Sequence, residues 1–385
     1  MSRRLPRRIG INAIFLLPGM GGLDTYVREL VPCLVTSAPE ASFSVYCSPE
    51  GERHLRRCDW AGSVRLRAHP LFGVRGLKAL TETTLLGAIA TREVDLIHSV
   101  ALTAPLWTRA ANVVTIADTT WLDGDRPDLT TRLWRALVPP IARRADRVIA
   151  ISQHSAGDVV ERLGVPSTRV DITPLGHRPG SGARPLAEPE LRRRHSLGDG
   201  PIILMVGTRK PHKNVLGLLR AMPAVLQARP DAVLVLAGNP TAHEPELLAE
   251  RDRLKLQGSA LFLQFVDDEE LEGLYAAADC LVLPSFNEGF GLPLLEAMGR
   301  GLPVACSNVS ALPEVAGSAA RYFDPTRPEQ ISAALAELLG DPELRRRLAA
   351  EGRRREASMT WEATAAATLD SYAAAWSAHR GRPAG

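Results

Sequence analysis

Two glutamates, eight residues apart in a glycine-rich stretch, carry side chains suited to binding a hydroxylated ligand. Glu288 lies in the loop between Ser285 and Gly291, and Glu296 lies in the segment after that loop. An ionised carboxylate accepts hydrogen bonds from a diol, and Gly289 and Gly291 let the backbone approach a ligand closely. This spacing predicts a ligand loop, although an ordinary crossover with solvated acids would show the same pattern.

The elements on either side of this loop are a predicted strand and a predicted helix. The apolar run Cys280–Leu283 predicts a buried strand that ends at Pro284. A helix is predicted over Leu292–Gly299, with Pro293 near its first position and a glycine near its end. The N-terminus of a helix offers unpaired N–H groups and a partial positive charge, which suit phosphate. Phosphate and hydroxyl binding together indicate a sugar nucleotide as the ligand class.

A basic turn follows the first strand of the same predicted sheet. In the segment VGTRKPHKN (Val206–Asn214), Arg209, Lys210, His212 and Lys213 lie within five positions. Cations of this kind stabilise the charge that develops on a diphosphate leaving group. A single turn of this composition is also typical of a solvated surface. Two such turns at strand ends of one sheet favour a ligand site.

Short apolar runs alternate with helical segments along the chain, which predicts an α/β fold made of parallel sheets. The first series opens with a strand, the glycine turn GMGG (19–22) and a helix, which is how a doubly wound domain begins. The predicted strands are 9–17, 43–47, 94–98, 113–117, 147–151 and 170–173 in the first half, and 202–206, 232–237, 261–265, 280–283, 304–306 and 320–323 in the second.

With 385 residues, the chain is long enough for two domains. We expect two Rossmann-like, doubly wound domains that face each other across a ligand cleft. The predicted boundaries are a first domain over 1–176, a Pro-, Gly- and Arg-rich linker over 177–200, a second domain over 201–360, and a C-terminal helix over 361–385 that packs back towards the first domain.

Composition excludes several classes of protein. A net charge of +3 argues against a dedicated nucleic-acid binder. The five cysteines are scattered without metal-ligand spacing, as in a cytosolic protein with reduced thiols. No apolar run approaches the roughly 20 residues of a membrane span. We therefore expect a cytoplasmic protein, with peripheral contact to the anionic inner face of the plasma membrane through Arg3, Arg4, Arg7 and Arg8.

The chain resembles the retaining glycosyltransferases of family 4, which have the GT-B fold, near the bacterial branch that includes mannosyltransferases. The segment NEGFGLPLLE carries two glutamates in the family's E-x7-E arrangement, and GTRKPHKN carries its basic turn. Further matching segments are GMGG, RADRVIAISQHSAGDVVERLGVP, FVDDEELEGLYAAADCLVLPS and AMGRGLPVACSNVSALPEVAG. The resemblance implies that the N-terminal domain binds the acceptor and the C-terminal domain binds the nucleotide sugar.

The resemblance also implies a role for each residue of the site. Glu288 corresponds to the catalytic acid at the donor sugar, close to the reacting carbon, and Glu296 corresponds to the residue that holds the ribose hydroxyls. Lys213 and Arg209 correspond to the cations on the diphosphate. The other implied donor-binding residues are Gly21, Gly22, Val266, Gly289, Phe290, Gly291 and Leu292, with Phe265 beside the base.

One position departs from the family's pattern. Many relatives carry a histidine just before an aspartate after the fourth strand, and here Ala117 precedes Asp118. Asp118 is the second predicted catalytic residue, with a turn cap as the alternative. His98 and His154 lie at a strand end and a helix start, and neither is assigned a role, because a lone histidine is more often structural.

The function implied by the resemblance is transfer of a sugar, mannose first, from a nucleotide diphosphate sugar to an acceptor hydroxyl, with retention, in polysaccharide or glycolipid assembly. The expected donor is GDP-mannose, with UDP- or dTDP-sugars as alternatives, and the acceptor is a saccharide or a lipid-linked saccharide. No cofactor and no metal are expected, since Lys213, Arg209 and the helix N-terminus would do the metal's electrostatic work. The alternatives are a catalytically weak, nucleotide-binding partner subunit of a glycosylation complex and a GT-B epimerase or phosphorylase.

Overall fold

The computed structural model describes residues 4–17, 21–74, 78–123, 129–177, 183–264 and 266–381. The chain divides into two compact units. The first contains residues 1–176 and 361–385, and the second contains residues 177–360. Each unit has its own parallel sheet with helices between the strands, so the predicted α/β class with two doubly wound sheets is confirmed.

The first unit holds seven strands and seven α-helices within the described residues. Its strands are β1 (Arg8–Asn12), β2 (Ser42–Cys47), β3 (Arg65–Ala68), β4 (Leu96–Ser99), β5 (Ala111–Ile116), β6 (Arg147–Ala150) and β7 (Val170–Ile172). Six of its helices are α1 (Gly22–Ser37), α2 (Pro49–Leu55), α3 (Lys78–Thr83), α4 (Leu85–Glu93), α5 (Leu129–Arg144) and α6 (Gln153–Leu163), and the seventh is the last helix of the chain, α15 (Trp361–Arg380).

The second unit holds the remaining described elements. Its strands are β8 (Ile202–Val206), β9 (Val233–Ala237), β10 (Ala260–Leu263), β11 (Cys280–Leu283), β12 (Val304–Ser307) and β13 (Ala320–Phe323). Its helices are α7 (Glu188–His195), α8 (Val215–Ala228), α9 (Glu244–Arg253), α10 (Asp268–Ala277), α11 (Leu292–Gly299), α12 (Leu312–Ala316), α13 (Pro328–Gly340) and α14 (Pro342–Glu356).

The first sheet has the strand order β3-β2-β1-β4-β5-β6-β7, and its paired strands are parallel. The chain moves outward in one direction from β1 and then crosses back to β4, so the switch of direction lies between these two strands. In such sheets the ligand crevice lies at the carboxyl ends of the strands on either side of the switch.

The largest differences between the first sheet and the sequence-based prediction concern β3 and β1. The edge strand β3 was not predicted, because its residues RLRA alternate arginines with apolar residues, are mostly exposed and give no apolar run. Strand β1 ends at Asn12 rather than at residue 17. Beyond it, Ile14 and Leu16 are fully buried but lie in a turn, where Leu16 N–H donates to the Ala13 carbonyl. The run of buried apolar side chains is therefore longer than the strand, which ends at Asn12.

Helix α15 packs on α1 within the first unit. Trp361 at its start is buried, and its ring centroid lies 6.2 Å from that of Tyr26 on α1. Tyr372, fully buried, places its hydroxyl 2.7 Å from Nδ1 of His98 at β4. The Nε2 atom of His98 lies 2.7 Å from Oγ1 of Thr115 on β5. The last helix of the chain is thus part of the core of the first unit.

The second sheet has the order β10-β9-β8-β11-β12-β13. Its direction switches between β8 and β11, which pair in parallel. The apolar residues of β8, β9 and β11 pack with α8 and α13 in one buried cluster that includes Leu218, Leu234 and Leu335. This core fixes the strand ends at which the two predicted ligand turns begin.

None of the helices within the described part of the chain combines the length and the apolar character that a bilayer crossing requires.

Candidate functional site

The switch point of the second sheet brings the basic turn and the glutamate loop side by side. Strand β8 ends at Val206, and the turn that follows contains a short 3₁₀ helix over Pro211–Lys213. The neighbouring strand β11 ends at Leu283, and its loop leads into α11. The two turns that the sequence singled out therefore meet at the edge where doubly wound sheets bind ligands.

Asn214 joins the two turns, and sequence reasoning assigned it no role. Its Nδ2 atom donates to the carbonyls of Pro284 (3.0 Å) and Pro325 (2.7 Å), and its Oδ1 accepts the Gly217 N–H at the start of α8. Its backbone is left-handed, with φ 54°, a conformation that asparagine tolerates better than most residues. An Asn just before an apolar helix is a helix-cap signal, but the sequence does not show that the same amide reaches the second turn.

Lys213 and Glu288 form the charged pair at the centre of this junction. The Lys213 Nζ atom lies 2.6 Å and 2.8 Å from the two carboxylate oxygens of Glu288, and Ser285 Oγ donates to Oε1 at 2.7 Å. The Glu288 N–H donates to Oγ of Ser310 at 3.1 Å, and the Glu288 carbonyl accepts from the Ala311 N–H at 3.4 Å. Both the backbone and the side chain of Glu288 are therefore held in place.

Glu296 is the fifth residue of α11, and its surroundings differ from those of Glu288. Its Oε2 accepts a 2.6 Å hydrogen bond from the buried hydroxyl of Tyr275 on α10. Burial raises the pKa of Glu296, while the Tyr275 hydrogen bond and the charge of Arg300 act in the opposite direction. Burial and the carboxylate of Glu296 together raise the pKa of Tyr275 well above its usual range. The tyrosine therefore stays a hydrogen-bond donor.

Arg209 does not face the junction of the two turns. Its side chain is 1% exposed and forms a two-pronged ion pair with Glu244 at 2.7 Å and 2.8 Å. Its Nη1 atom also lies 2.9 Å from the Leu263 carbonyl, and it donates to Gly238. The guanidinium thus ties β9, β10 and α9 together. Its predicted contact with a diphosphate stays a prediction, and the geometry favours a structural role.

The glycine loop beside Glu288 has the conformation that a close backbone approach requires. Gly291 caps α11 with φ 97°, and a Cβ atom there would lie 2.7 Å from Leu312 Cδ2, so only glycine fits. Phe290 is buried, at 3% exposed. Gly289, Leu292 and Val266 are each partly exposed. Phe265 lies outside the described residues.

The predicted site residues of the first unit lie after β1 and β5. Gly21 caps α1 with φ 61° and ψ −129°, a region that is essentially restricted to glycine, and Gly22 begins the helix. Asp118 Oδ1 accepts from both the N–H (3.0 Å) and the hydroxyl (2.5 Å) of Thr120. This is the turn-capping geometry named as the alternative, and the catalytic role of Asp118 stays a prediction. Gly19 and Met20 of the glycine turn lie outside the described residues.

His98 is a structural histidine. It is fully buried, both ring nitrogens are hydrogen-bonded, and burial lowers its pKa to about 3. Among the residues that the structure describes, no group of three His, Cys, Asp or Glu side chains is arranged to hold a metal ion.

Family models match both units. The model for glycosyl transferases group 1 matches residues 187–355, and the model for the glycosyl transferase 4-like domain matches residues 21–176. Together they cover most of the chain, and each match falls within one of the two units.

Similar proteins include two curated bacterial enzymes and a solved structure. O-antigen chain mannosyltransferase B of Escherichia coli is 35% identical over 231 residues, which is 59% of this chain and 60% of that protein. D-inositol 3-phosphate glycosyltransferase of Salinispora tropica is 32% identical over 278 residues, which is 67% of this chain and 57% of that protein. The chain thus spans about three fifths of the length of the curated relatives it matches.

The solved sucrose-phosphate synthase of Thermosynechococcus elongatus superposes with a TM-score of 0.73 at 21% identity, over 94% of this chain and 96% of that one. At this identity the likeness concerns the fold. The predicted GT-B fold class is confirmed by it and by the two parallel sheets. The chain belongs to the group 1 glycosyltransferases of family 4, with mannosyltransferases among its relatives.

Proposed function

We propose that this protein transfers a sugar from a nucleotide diphosphate sugar to an acceptor hydroxyl, with retention at the anomeric carbon. The observation that carries the proposal is the junction at the switch point of the second sheet. There a lysine, the glycine-capped N-terminus of α11 and two carboxylates with different surroundings lie on adjoining elements. These are the groups that a diphosphate, a sugar and a ribose each need.

Lys213 and the start of α11 would hold the diphosphate. An ammonium group has three N–H donors, and two of them are engaged by Glu288, which leaves the third for a phosphate oxygen. The positive end of the α11 dipole adds to this charge. As the bond from the anomeric carbon to the phosphate oxygen breaks, its electron pair stays with the nucleoside diphosphate, and these groups stabilise that negative charge.

Glu288 would orient the donor sugar, and Glu296 would accept hydrogen bonds from the ribose hydroxyls. The new bond forms from the acceptor oxygen to the same face of the anomeric carbon, and the leaving phosphate takes the acceptor's proton. Because Lys213 and α11 carry the positive charge, the proposed step needs no metal.

We propose GDP-mannose as the donor and a saccharide or lipid-linked saccharide as the acceptor. Mannosyltransferases among the relatives support the choice of sugar. A peripheral position on an anionic membrane belongs to the same proposal, because a lipid-linked acceptor would be presented there.

Thermal unfolding of the full chain with GDP, UDP, dTDP and ADP identifies the nucleotide, since a ligand that binds the folded state raises its Tm. Release of that nucleotide from its mannose, glucose and galactose conjugates, with mannosylated lipid-carrier acceptors, then identifies the reaction. We expect the largest shift with GDP and turnover of GDP-mannose.

Lys213→Ala is the variant that tests the site. We expect kcat/KM to fall by about 10²–10³-fold, the loss typical for an electrostatic contact to a leaving group. Lys210→Ala, an exposed lysine in the same turn, is the matched control and should retain activity. Equal activity in both variants contradicts the proposed site. A protein that binds a nucleotide but turns over no donor would support the alternative of a partner subunit.

A further inference from the structure

One carboxylate oxygen of Glu296 accepts a hydrogen bond from the protein, and the other does not. Its hydrogen bonds within the described residues run from the Tyr275 hydroxyl to Oε2 at 2.6 Å and from Arg300 Nη1 to the backbone carbonyl at 2.8 Å. Oε1 has no hydrogen-bond partner among those residues, and the side chain is partly exposed. One oxygen is therefore fixed by the protein while the other faces outward.

Tyr275 is itself held in place. It is 2% exposed, and the Arg300 guanidinium lies over its ring, 4.6 Å from the centroid. The same guanidinium makes a two-pronged contact with Glu272, with Nε 2.8 Å from Oε2 and Nη2 2.5 Å from Oε1. Glu272 and Tyr275 lie three residues apart on α10, so they share a face of that helix. Four side chains, Glu272, Tyr275, Glu296 and Arg300, thus form a cluster that bridges α10 and α11.

The physical consequence concerns rotation of the Glu296 carboxylate. The terminal torsion of a glutamate is broad, so an unsupported carboxylate samples many orientations. A donor fixed at Oε2 selects one plane and aims Oε1 at a constant direction. Binding to a pre-oriented group loses less conformational entropy, and this makes the hydrogen bond to a ligand stronger.

We propose that Tyr275 is a positioning residue for ribose recognition, which aims the free Oε1 of Glu296 at the nucleotide's ribose hydroxyls while Arg300 and Glu272 hold the tyrosine in place. This inference rests on the proposed function, because it assumes that a nucleotide sugar binds beside α11. It goes further in assigning ribose selectivity to a residue that does not touch the ligand.

The test measures the coupling between the Tyr275 hydroxyl and the ribose hydroxyls. Dissociation constants of the full chain are measured for GDP, UDP and ADP and for the 2′-deoxy and 3′-deoxy form of each. The ratio of deoxy to ribo dissociation constants is compared between wild type and Tyr275→Phe. We expect wild type to prefer the tightest-binding ribonucleotide by about tenfold or more, as for a hydrogen bond to a charged group.

In Tyr275→Phe we expect the ribonucleotide to bind about tenfold more weakly, while the deoxynucleotides bind as they do to wild type, so the ratio falls towards one. Glu296→Gln should give the same collapse. For the donor sugar, Tyr275→Phe should raise KM with little change in kcat, because the ribose contact is present before and during the reaction.

The matched control is Tyr322→Phe, which removes a tyrosine hydroxyl bonded to the Gly317 carbonyl in the same unit. It should leave the ratio unchanged. Arg300→Lys, which loses the two-pronged contact with Glu272, is a second variant that should lower the ratio by a few-fold with the Tyr275 hydroxyl still present.

Equal weakening of ribo and deoxy forms in Tyr275→Phe means a merely structural tyrosine and overturns the inference, as does an unchanged ratio. In both cases the proposed function stands, since wild type still discriminates. If wild type binds ribo and deoxy forms equally well, the assigned role of Glu296 fails, and the role of Tyr275 fails with it.

Discussion

Each sheet has a buried glutamate at its switch point, and the two glutamates have opposite kinds of partner. At the switch of the first sheet, Glu82 on α3 is 1% exposed and is bonded to Asn12 at the end of β1 and to Thr103 after β4. No cation appears among these partners. At the switch of the second sheet, Glu288 is paired with Lys213.

The pKa directions follow from these surroundings. With only uncharged partners, burial raises the pKa of Glu82 to about 8, so the group is protonated at neutral pH. Its hydrogen bonds connect α3 to the ends of β1 and β4, so the role of Glu82 is structural. At the second switch point, the Lys213–Glu288 ion pair is mostly buried, with side chains 16% and 10% exposed. The buried glutamate is therefore uncharged at the first switch point and paired with a cation at the second, and the difference lies in the partner side chains.

The largest expected effect is a difference in activity between a variant of Glu288 and the same variant of Glu82. Glu288→Gln should lower kcat by about 10²–10³-fold, because it removes the charge that the proposed function assigns to the donor sugar. Glu82→Gln should retain activity within about twofold, since an amide reproduces the hydrogen bonds of a protonated carboxyl. Nucleotide release from the donor measures both. A comparable loss in Glu82→Gln would mean that the edge of the first sheet also acts in the chemistry.

The second prediction concerns the contribution of Glu82 to the free energy of unfolding and how that contribution changes with pH. The pKa of Glu82 in the folded state, about 8, lies above the ordinary value of 4.5, so the folded state keeps a proton that the unfolded chain releases. The free energy of unfolding contributed by this group therefore falls as pH rises from about 5 to 8, by about 1 kcal/mol per pH unit, and then levels off. Glu82→Gln should remove this loss, so its Tm should rise above that of wild type progressively across the window.

Thermal unfolding from pH 5 to pH 9 measures the difference. Glu50→Gln changes an exposed carboxylate in the same unit and is the matched control. A gain of the same size in both variants would show that burial of Glu82 is not its cause, and a flat difference for Glu82→Gln would contradict a raised pKa.

The third prediction compares the two helix caps that follow sheet strands. Asn214→Ala should cost about 2–3 kcal/mol of stability, because the cap and two carbonyl contacts are lost together. Ser152→Ala at the start of α6 loses the cap to the Ser155 N–H and should cost about 1 kcal/mol. Denaturant unfolding measures both.

Activity measurements extend the comparison between the Asn214 and Ser152 variants. Asn214 fixes the turn that carries Lys213, so its variant should lose about tenfold in kcat/KM at temperatures where it remains folded. Ser152→Ala should keep full activity. An inactive Ser152→Ala with an active Asn214→Ala would reverse the assignment of the ligand edge to the second sheet.

The smallest expected effect concerns two serines with left-handed backbones, Ser310 (φ 58°) and Ser196 (φ 53°). Ser196→Gly should stabilise the protein by about 0.5–1 kcal/mol, because glycine adopts this backbone without strain. Ser310→Gly also relieves strain but loses the hydroxyl that accepts the Glu288 N–H, so its stability should not rise and kcat should fall several-fold. Ser310→Asn, which keeps an acceptor and tolerates this backbone, should lie between wild type and Ser310→Gly.

If Ser310→Gly raises Tm as much as Ser196→Gly does and leaves kcat unchanged, Ser310 does not help to hold Glu288 in place.

Much of the fold was predictable because its signals are local. The predicted limits of α11 agree with the structure, since a signal such as Pro293 at the helix start acts within one helical turn. The edge strand β3 escaped prediction because pairing on one side alone does not require apolar residues.

The sequence by itself determined the strand–turn–helix units, the glycine that caps α11 and the two turns that carry the charged residues, because backbone conformation and burial pattern depend on neighbouring residues. The tertiary structure alone decided which charges meet. Lys213 and Glu288 are 75 positions apart and pair, whereas Arg209, four residues before Lys213, turns away to Glu244. Long side chains reach several elements, and only the packed sheets fix which partner each one finds. The same holds for Tyr275 on α10 and Glu296 on α11, which are 21 positions apart and meet through a hydrogen bond.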